Sequence, residues 1–587
     1  MALSLSLSHR VGIGCRPRAG PLLCWLVLAI LAFLVLVPLA MLVLGSFSAA
    51  RLPTDFSLSD LTADNYLSVY TDPLTYRVLG NTVVYVAGSL ALGLSLSLLF
   101  AWLVARTNMP AKWLAYVGLP LALVMPGMLE SMVWVLLFSP RIGFVNRLLM
   151  AAFGLSGAPF DVYSLPAMMT LEGLRMVPTG FLLLAPVLLR FDPVLEEAAA
   201  TAGGRPGTII RRVTLPLLVP ALLSIALYLG VTVLSSFEVP GILGLPGRVY
   251  VFSTLIYTYT SATTSAGGNS YGAAAALAII YLLINVGGMA LYIRATRDAA
   301  RFAVVSGRAY RPRLVNLGRW RWLALAVLVL HLCVNIVLPL LVLLWTSLMP
   351  RIVQPSVSAL RELTFASWQR LAGDAQLVQV ALNTLAVVLA TATLTALASL
   401  AIAWIVTRTR FAGRRLLDQL AFASHGLPGV ILALALIWFW VRIDALPVYG
   451  TLAIVVLGLV TGFLAYGTRT ASAALLQVQR ELEEAAYASG AALAGTMRRV
   501  LVPLLAPALT GLWVWVAIQG MRFVTLPLML QTGPENTVVA AYLWRRWEAG
   551  EVNLVAAVGL ALVAAVAVLT AIVWRLSPAS RRLSFTS

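Results

Sequence analysis

Long uncharged apolar runs constrain this chain more than any other feature. A helix crossing the hydrocarbon core of a bilayer takes about 20 consecutive apolar residues. Twelve windows of that kind lie near 22–46, 79–106, 115–138, 165–189, 215–237 and 273–295, then near 322–347, 379–407, 417–441, 448–474, 502–521 and 554–575. The expected fold class is an all-α polytopic membrane protein of about twelve transmembrane helices. Composition agrees: of 587 residues 61% are hydrophobic and 11% charged, against about 25% charged in a soluble protein.

The net charge of +19 does not point to nucleic acid, because the basic residues fall in short clusters between apolar runs. Charge at helix ends orients spans, with Lys and Arg on the cytoplasmic side. With the N-terminus placed in the cytoplasm, 28 of the 41 basic residues fall on that side, Arg10, Arg16 and Arg18 among them. Both termini are then cytoplasmic. The first run, from Leu22 to Leu44, exceeds a signal-peptide core and is expected to be an uncleaved span. Cys15, Cys24 and Cys333 form no CxxC pair, and His9, His331 and His425 are scattered, so neither a disulfide framework nor a metal site is expected. No Ser/His/Asp, HExxH or paired-carboxylate constellation has usable spacing, so no catalytic residues are expected either.

The chain repeats itself. Leu61-Thr62 matches Leu363-Thr364, Asn81-Thr82 matches Asn383-Thr384, Arg106-Thr107 matches Arg408-Thr409, and Pro126-Gly127 matches Pro428-Gly429, all at an offset of 302. The offset then falls to 287, so the first half carries about fifteen extra residues in its second outer loop. Residues 1–300 and 301–587 are expected to be two six-helix repeats. An even number of spans per half makes the repeat parallel, with its pseudo-two-fold axis along the membrane normal.

The most specific motif follows the fourth span of each half. The copies read EAAATAGGRPGTIIRRVTLP, Glu197 to Pro216, and EAAYASGAALAGTMRRVLVP, Glu484 to Pro503. Ala198, Ala199, Ala485 and Ala486 are small helix formers that admit a close partner surface. Gly203 and Gly490 are free to take a positive φ or to stand against a partner backbone. Glu197 and Glu484 are carboxylates in arginine-rich loops, suited to a basic partner. Pro216 and Pro503 sit near the start of the next span, where proline is tolerated.

This pattern resembles the EAA loop of binding-protein-dependent ABC importer permeases of the type I fold. The resemblance implies a helix–turn–helix that docks on an ATPase subunit, with Glu197, Ala198, Ala199, Gly203, Glu484, Ala485, Ala486 and Gly490 as docking residues. Two copies imply two ATPase subunits, expected as a homodimer that carries the ATP and Mg. This chain binds no cofactor in that scheme, since its only lysine is Lys112 and a phosphate-binding loop requires one after a glycine pattern. The resemblance further implies a periplasmic or lipid-anchored solute-binding protein and a place in the bacterial inner membrane.

Charges inside spans are costly and mark candidate path residues. Glu130 lies in the third window. Glu172 and Arg175, in the fourth, are three residues apart and are read as an intrahelical ion pair. Glu238 and Arg522 close the fifth and eleventh spans, as substrate or binding-protein contacts or as snorkelling side chains. Tyr257, Tyr259 and Tyr271 are read as an interfacial belt. SPRIGFVNRLL (139–149), SFEVPGILGLP (236–246) and the LT-x3-(Y/W) pattern before spans two and eight most resemble the iron(III) importer permeases. Relatives with the fused layout also serve thiamine, aminoalkylphosphonates and phosphorylated sugars, and unfused ones serve polyamines. Two features count against iron: Arg522-Phe523-Val524 replaces the Arg-Glu-Leu of iron-type second halves, and no Tyr/Asp/Glu cluster, the hard-oxygen set that iron(III) prefers, is evident in the spans.

Overall fold

The computed structural model describes residues 20–190, 198–199, 201–261, 270–299 and 314–576. These form helices and connecting turns, with two isolated β-bridges and no named strand. Among the described residues ten helices are long and apolar enough to cross a membrane.

In the first half they are α1 (Gly20–Ser46), α3 (Pro73–Arg106), α7 (Leu165–Arg190), α8 (Leu215–Leu234) and α10 (Tyr271–Ala299), with shorter α2 (Asp64–Thr71), α4 (Trp113–Ala122), α5 (Gly127–Phe138), α6 (Phe144–Phe153) and α9 (Phe252–Thr260) between them. In the second half α11 (Trp320–Leu332) runs through a π-turn into α12 (Leu338–Ser347). There follow α13 (Ala366–Gly373), α14 (Ala375–Arg408), α15 (Arg414–Ala423), α16 (Gly429–Trp440) and α17 (Leu452–Leu476). The chain closes with α18 (Arg480–Ala488), α19 (Val502–Arg522), α20 (Thr525–Leu530), α21 (Val539–Glu548) and α22 (Val552–Leu576).

The helices recur at the sequence offsets. Helices α2, α3 and α5 reappear 302 residues later as α13, α14 and α16 with identical bounds, and α8 starts 287 residues before α19. Local chemistry repeats with them. Asp72 caps α3 by accepting the Leu74 N–H at 2.8 Å, and Asp374 caps α14 by accepting that of Gln376 at 2.9 Å, each satisfying a donor the first turn leaves open. The fifteen extra residues include α6, whose Leu148 and Phe153 are exposed.

The windows 115–138 and 417–441 depart from expectation. Each is a bent helix pair, turned by 93° between α4 and α5 and by 111° between α15 and α16. Pro126-Gly127 and Pro428-Gly429 stand at the two breaks. Proline disfavours the α conformation in the residue before it, and hydropathy alone does not register the turn. A subtler proline device recurs: π-turns Ile210–Thr214, Cys333–Val337 and Met497–Leu501 each end two residues before a proline, Pro216, Pro339 and Pro503. The wider turn gives way to a ring that removes one backbone donor and clashes with the carbonyl four residues earlier.

The two halves interlock. Cys24, Leu28, Leu31 and Val35 of α1 are buried among Leu400, Trp404, Leu417 and Leu420 of the second half. In return, His331 of α11 packs on Phe100 of α3, with ring centroids 5.2 Å apart. Each half therefore lends its first span to the other.

Candidate functional site

Both motif loops turn at their glycine in the same way. Helix α18 ends in paired bonds: the Gly490 N–H donates to the Tyr487 carbonyl at 3.0 Å and the Ala491 N–H to the Ala486 carbonyl at 3.0 Å. That pattern closes a helix on a left-handed residue, and Gly490 has φ +82°. In the first copy Gly203 has φ +84° and the Gly204 N–H donates to the Ala199 carbonyl at 2.9 Å. A Cβ at either glycine would meet nothing within 4 Å, so within this chain it is the backbone angle, not close packing, that requires glycine. Ala198, Glu484 and Ala485 are exposed while Ala199 and Ala486 are half-buried; Glu197 lies outside the described residues.

Glu483, one residue before the motif, went unnoticed in the sequence. It is buried, and its carboxylate lies 2.8 Å from Arg408 Nε. The Trp404 indole N–H donates to its second oxygen at 3.4 Å. The signal was available: Arg408 ends a 34-residue apolar helix, where a guanidinium needs a partner.

The candidate path residues of the first half converge on one side chain. Arg175 reaches Glu172 at 3.2 Å within its own helix, as expected, and also Glu238 at 3.0 Å and Glu130 at 3.4 Å. The Tyr85 hydroxyl and Ser236 Oγ donate to Glu172 at 3.0 and 3.2 Å. Glu238 is thus an internal ion-pair partner and not a snorkelling side chain. The fold gathers three carboxylates and a tyrosine from α3, α5, α7 and the turn after α8, which corrects the expectation that no Tyr/Asp/Glu cluster exists. Among the described residues no group of His, Cys, Asp and Glu is arranged to hold a metal ion, because the guanidinium occupies the centre of this one. Arg522 comes from the second half, donates to the Leu123 carbonyl at the α4–α5 break, and lines with Glu130, Arg175 and Asn335 a cavity of about 40 Å³.

Residues 397–582 match the family described as binding-protein-dependent transport system inner membrane component. The chain is 26% identical to the ferric transport system permease protein FbpB of Actinobacillus pleuropneumoniae over 72% of its own length and 60% of that protein's. It is 26% identical to the putative ferric transport system permease protein FbpB 1 of Haemophilus influenzae over 67% of its length and 60% of that protein's. The chain is thus similar to binding-protein-dependent transport components over residues 397–582, and it spans 60% of the length of the two ferric relatives. The maltose/maltodextrin transport system permease protein MalF of Salmonella typhimurium is 27% identical over 43% of this chain and 52% of that protein.

The fold departs from the sequence reading at one more place. Tyr257, assigned to an interfacial belt, turns inward onto Phe237 and Trp544, with ring centroids 5.2 and 6.2 Å away. That aromatic group joins the two halves.

Proposed function

We propose that this chain is the membrane-spanning subunit of an ATP-driven importer, that two ATPase subunits carrying ATP and Mg dock on Glu197–Pro216 and Glu484–Pro503, and that the cargo is iron(III) delivered by a separate binding protein. The observation that carries the docking assignment is the pair of loops with one sequence pattern and one left-handed glycine turn. Two identical turns in matching places of a repeat fit two copies of one partner. Alternating access then follows by rocking of the halves as the ATPase dimer closes. Both termini and both loops face the cytoplasm in this scheme, and the two repeats divide near residue 300.

Two observations favour iron(III). The two ferric permeases match over most of this chain. The carboxylates around Arg175 outnumber the nearby guanidinium groups, three against two with Arg522 counted, which favours a cation in transit over an anion. A sugar cargo is the second reading, favoured by the match to a maltose/maltodextrin permease. The test is reconstitution of the chain with its co-encoded ATPase and binding protein in proteoliposomes. ATP-dependent uptake of radioactive iron(III) and no uptake of maltodextrin is the expected result. Failure of any ATPase to copurify would overturn the docking assignment, and uptake of sugar alone would overturn the cargo. Replacing Glu197 and Glu484 together by alanine should uncouple hydrolysis from uptake.

A further inference from the structure

Two dipeptides repeated at 302, Asn81-Thr82/Asn383-Thr384 and Arg106-Thr107/Arg408-Thr409, have no part in the account so far. In the second half they mark opposite parts of α14, and each grips a different segment. Near its start, Asn383 Nδ2 donates to the carbonyls of Glu535 and Thr537 at 2.7 and 3.0 Å, and Thr384 Oγ1 accepts the Val539 N–H at 2.9 Å. The loop leading into α21 is thereby fastened to α14. At its last residue, Arg408 pairs with Glu483 of α18 at 2.8 Å and donates to the carbonyls of Leu475 and Val478 at 2.9 and 2.5 Å. Arg480 returns the contact by donating to the Thr407 carbonyl at 2.9 Å. The start of α18 is thereby fastened to the other end.

The shaft between the clasps is suited to carry displacement. From Asn383 to Arg408 it spans about 37 Å at 1.5 Å per residue. Among the described membrane-crossing helices, α14 is the one with neither glycine nor proline along its length. Kinks arise at proline, at glycine and at π-bulges, and α14 has none of these. The first half repeats the upper clasp: Asn81 Nδ2 donates to the Tyr250 carbonyl at 3.1 Å, and Thr82 Oγ1 accepts the Phe252 N–H at 3.2 Å. At the lower end Arg106 is 2% exposed, and the 287 offset places Glu196 where the second half has Glu483; Glu196 lies outside the described residues.

We propose that α14 is a rigid rod coupling the docking helix α18 to the loop 531–537 at the far end of the molecule, with Arg408 and Asn383 as its positioning residues. The proposal rests on reading Glu484–Pro503 as a docking loop. A buried ion pair contributes little net stability against an apolar replacement but is costly to break from one side, so its value here is a fixed geometry between two elements.

The test is hydrogen exchange on the purified chain in lipid nanodiscs, with Glu483→Gln and Asn383→Ala. A rod transmits loss of one clasp to the other. Glu483→Gln should therefore speed exchange by about tenfold at the amides of 534–539 as well as at 480–490, and Asn383→Ala should do the converse. Faster exchange confined to the mutated end would overturn the proposal. Arg408→Lys keeps the charge while losing the forked carbonyl contacts, so it should give a smaller distal effect and serves if Glu483→Gln does not fold. With the ATPase subunits added, Asn383→Ala, which lies away from the docking helix, should bind them as wild type does while hydrolysis no longer responds to binding protein. A wild-type chain that binds no ATPase would refute the docking reading and leave the exchange result to judge the rod.

Discussion

The two halves share a backbone plan and differ at its centre. Around Arg175 the first half has Glu130, Glu172, Glu238 and Tyr85; the matching positions in the second half are Gly462 for the arginine, then Leu432, Leu459, Thr525 and Val387. Part of each set borders a cavity between the halves, and the two cavities are related by the repeat. Leu123, Glu130, Arg175 and Arg522 line the first, and their counterparts His425, Leu432, Gly462 and Ser235 line the second. The first, filled by charged side chains, measures about 40 Å³, and the second, with glycine where the arginine would stand, about 210 Å³. Duplication kept the helices and let the chemistry diverge. The first cavity has a charged wall, and the second an apolar wall with Thr232, Ser235, Ser424 and His425 as its polar marks.

The largest effect should come from removing the hub of the charged wall. Arg175→Met leaves three carboxylates buried without their shared counter-ion, and breaking a buried pair from one side costs about 3–5 kcal/mol. Denaturant titration of the detergent-solubilised protein is expected to show that loss, and a variant within 1 kcal/mol of wild type would mean the cluster is already neutralised by protons or water. Next in size is a graft onto the apolar wall. Gly462→Arg alone places a guanidinium in the second cavity without a partner, at about 2.5–3.5 kcal/mol on insertion scales. Adding Leu459→Glu rebuilds the i, i+3 pair of Glu172 and Arg175 at the equivalent positions and should recover at least half of the loss. No recovery would show that the surrounding helices, and not the missing partner, reject the charge.

Much of this was legible in the sequence because the signals are local. Apolar run length located the spans, and a fixed offset exposed the repeat. The two bends were not legible, since Pro126-Gly127 and Pro428-Gly429 lie inside continuous apolar windows. The site was legible residue by residue and not as a constellation. Glu130, Glu172, Arg175 and Glu238 each stood out as charges in apolar surroundings. Their convergence depends on how α5, α7 and the turn after α8 pack, over separations of up to 108 residues between Glu130 and Glu238. Glu483 was overlooked for the opposite reason: beside a motif that begins at Glu484 it reads as one more exposed carboxylate, and its burial and its distance to Arg408 set it apart.

The smallest predicted effect tests where the halves agree. Gly203 and Gly490 have φ values of +84° and +82°, with open space beside both. Alanine at either meets no steric neighbour and is penalised by the left-handed backbone alone, by about 1–2 kcal/mol. Because the cause is the same angle in both loops, Gly203→Ala and Gly490→Ala should weaken the turn by equal amounts, read as equally faster exchange of the amides just after each glycine. Asparagine, which tolerates this conformation better, should cost less than alanine in both. Unequal penalties would mean that one loop is braced by contacts the other lacks, extending the divergence of the central cavities out to the loops. Equal penalties would confine that divergence to the core and leave the two turns equivalent.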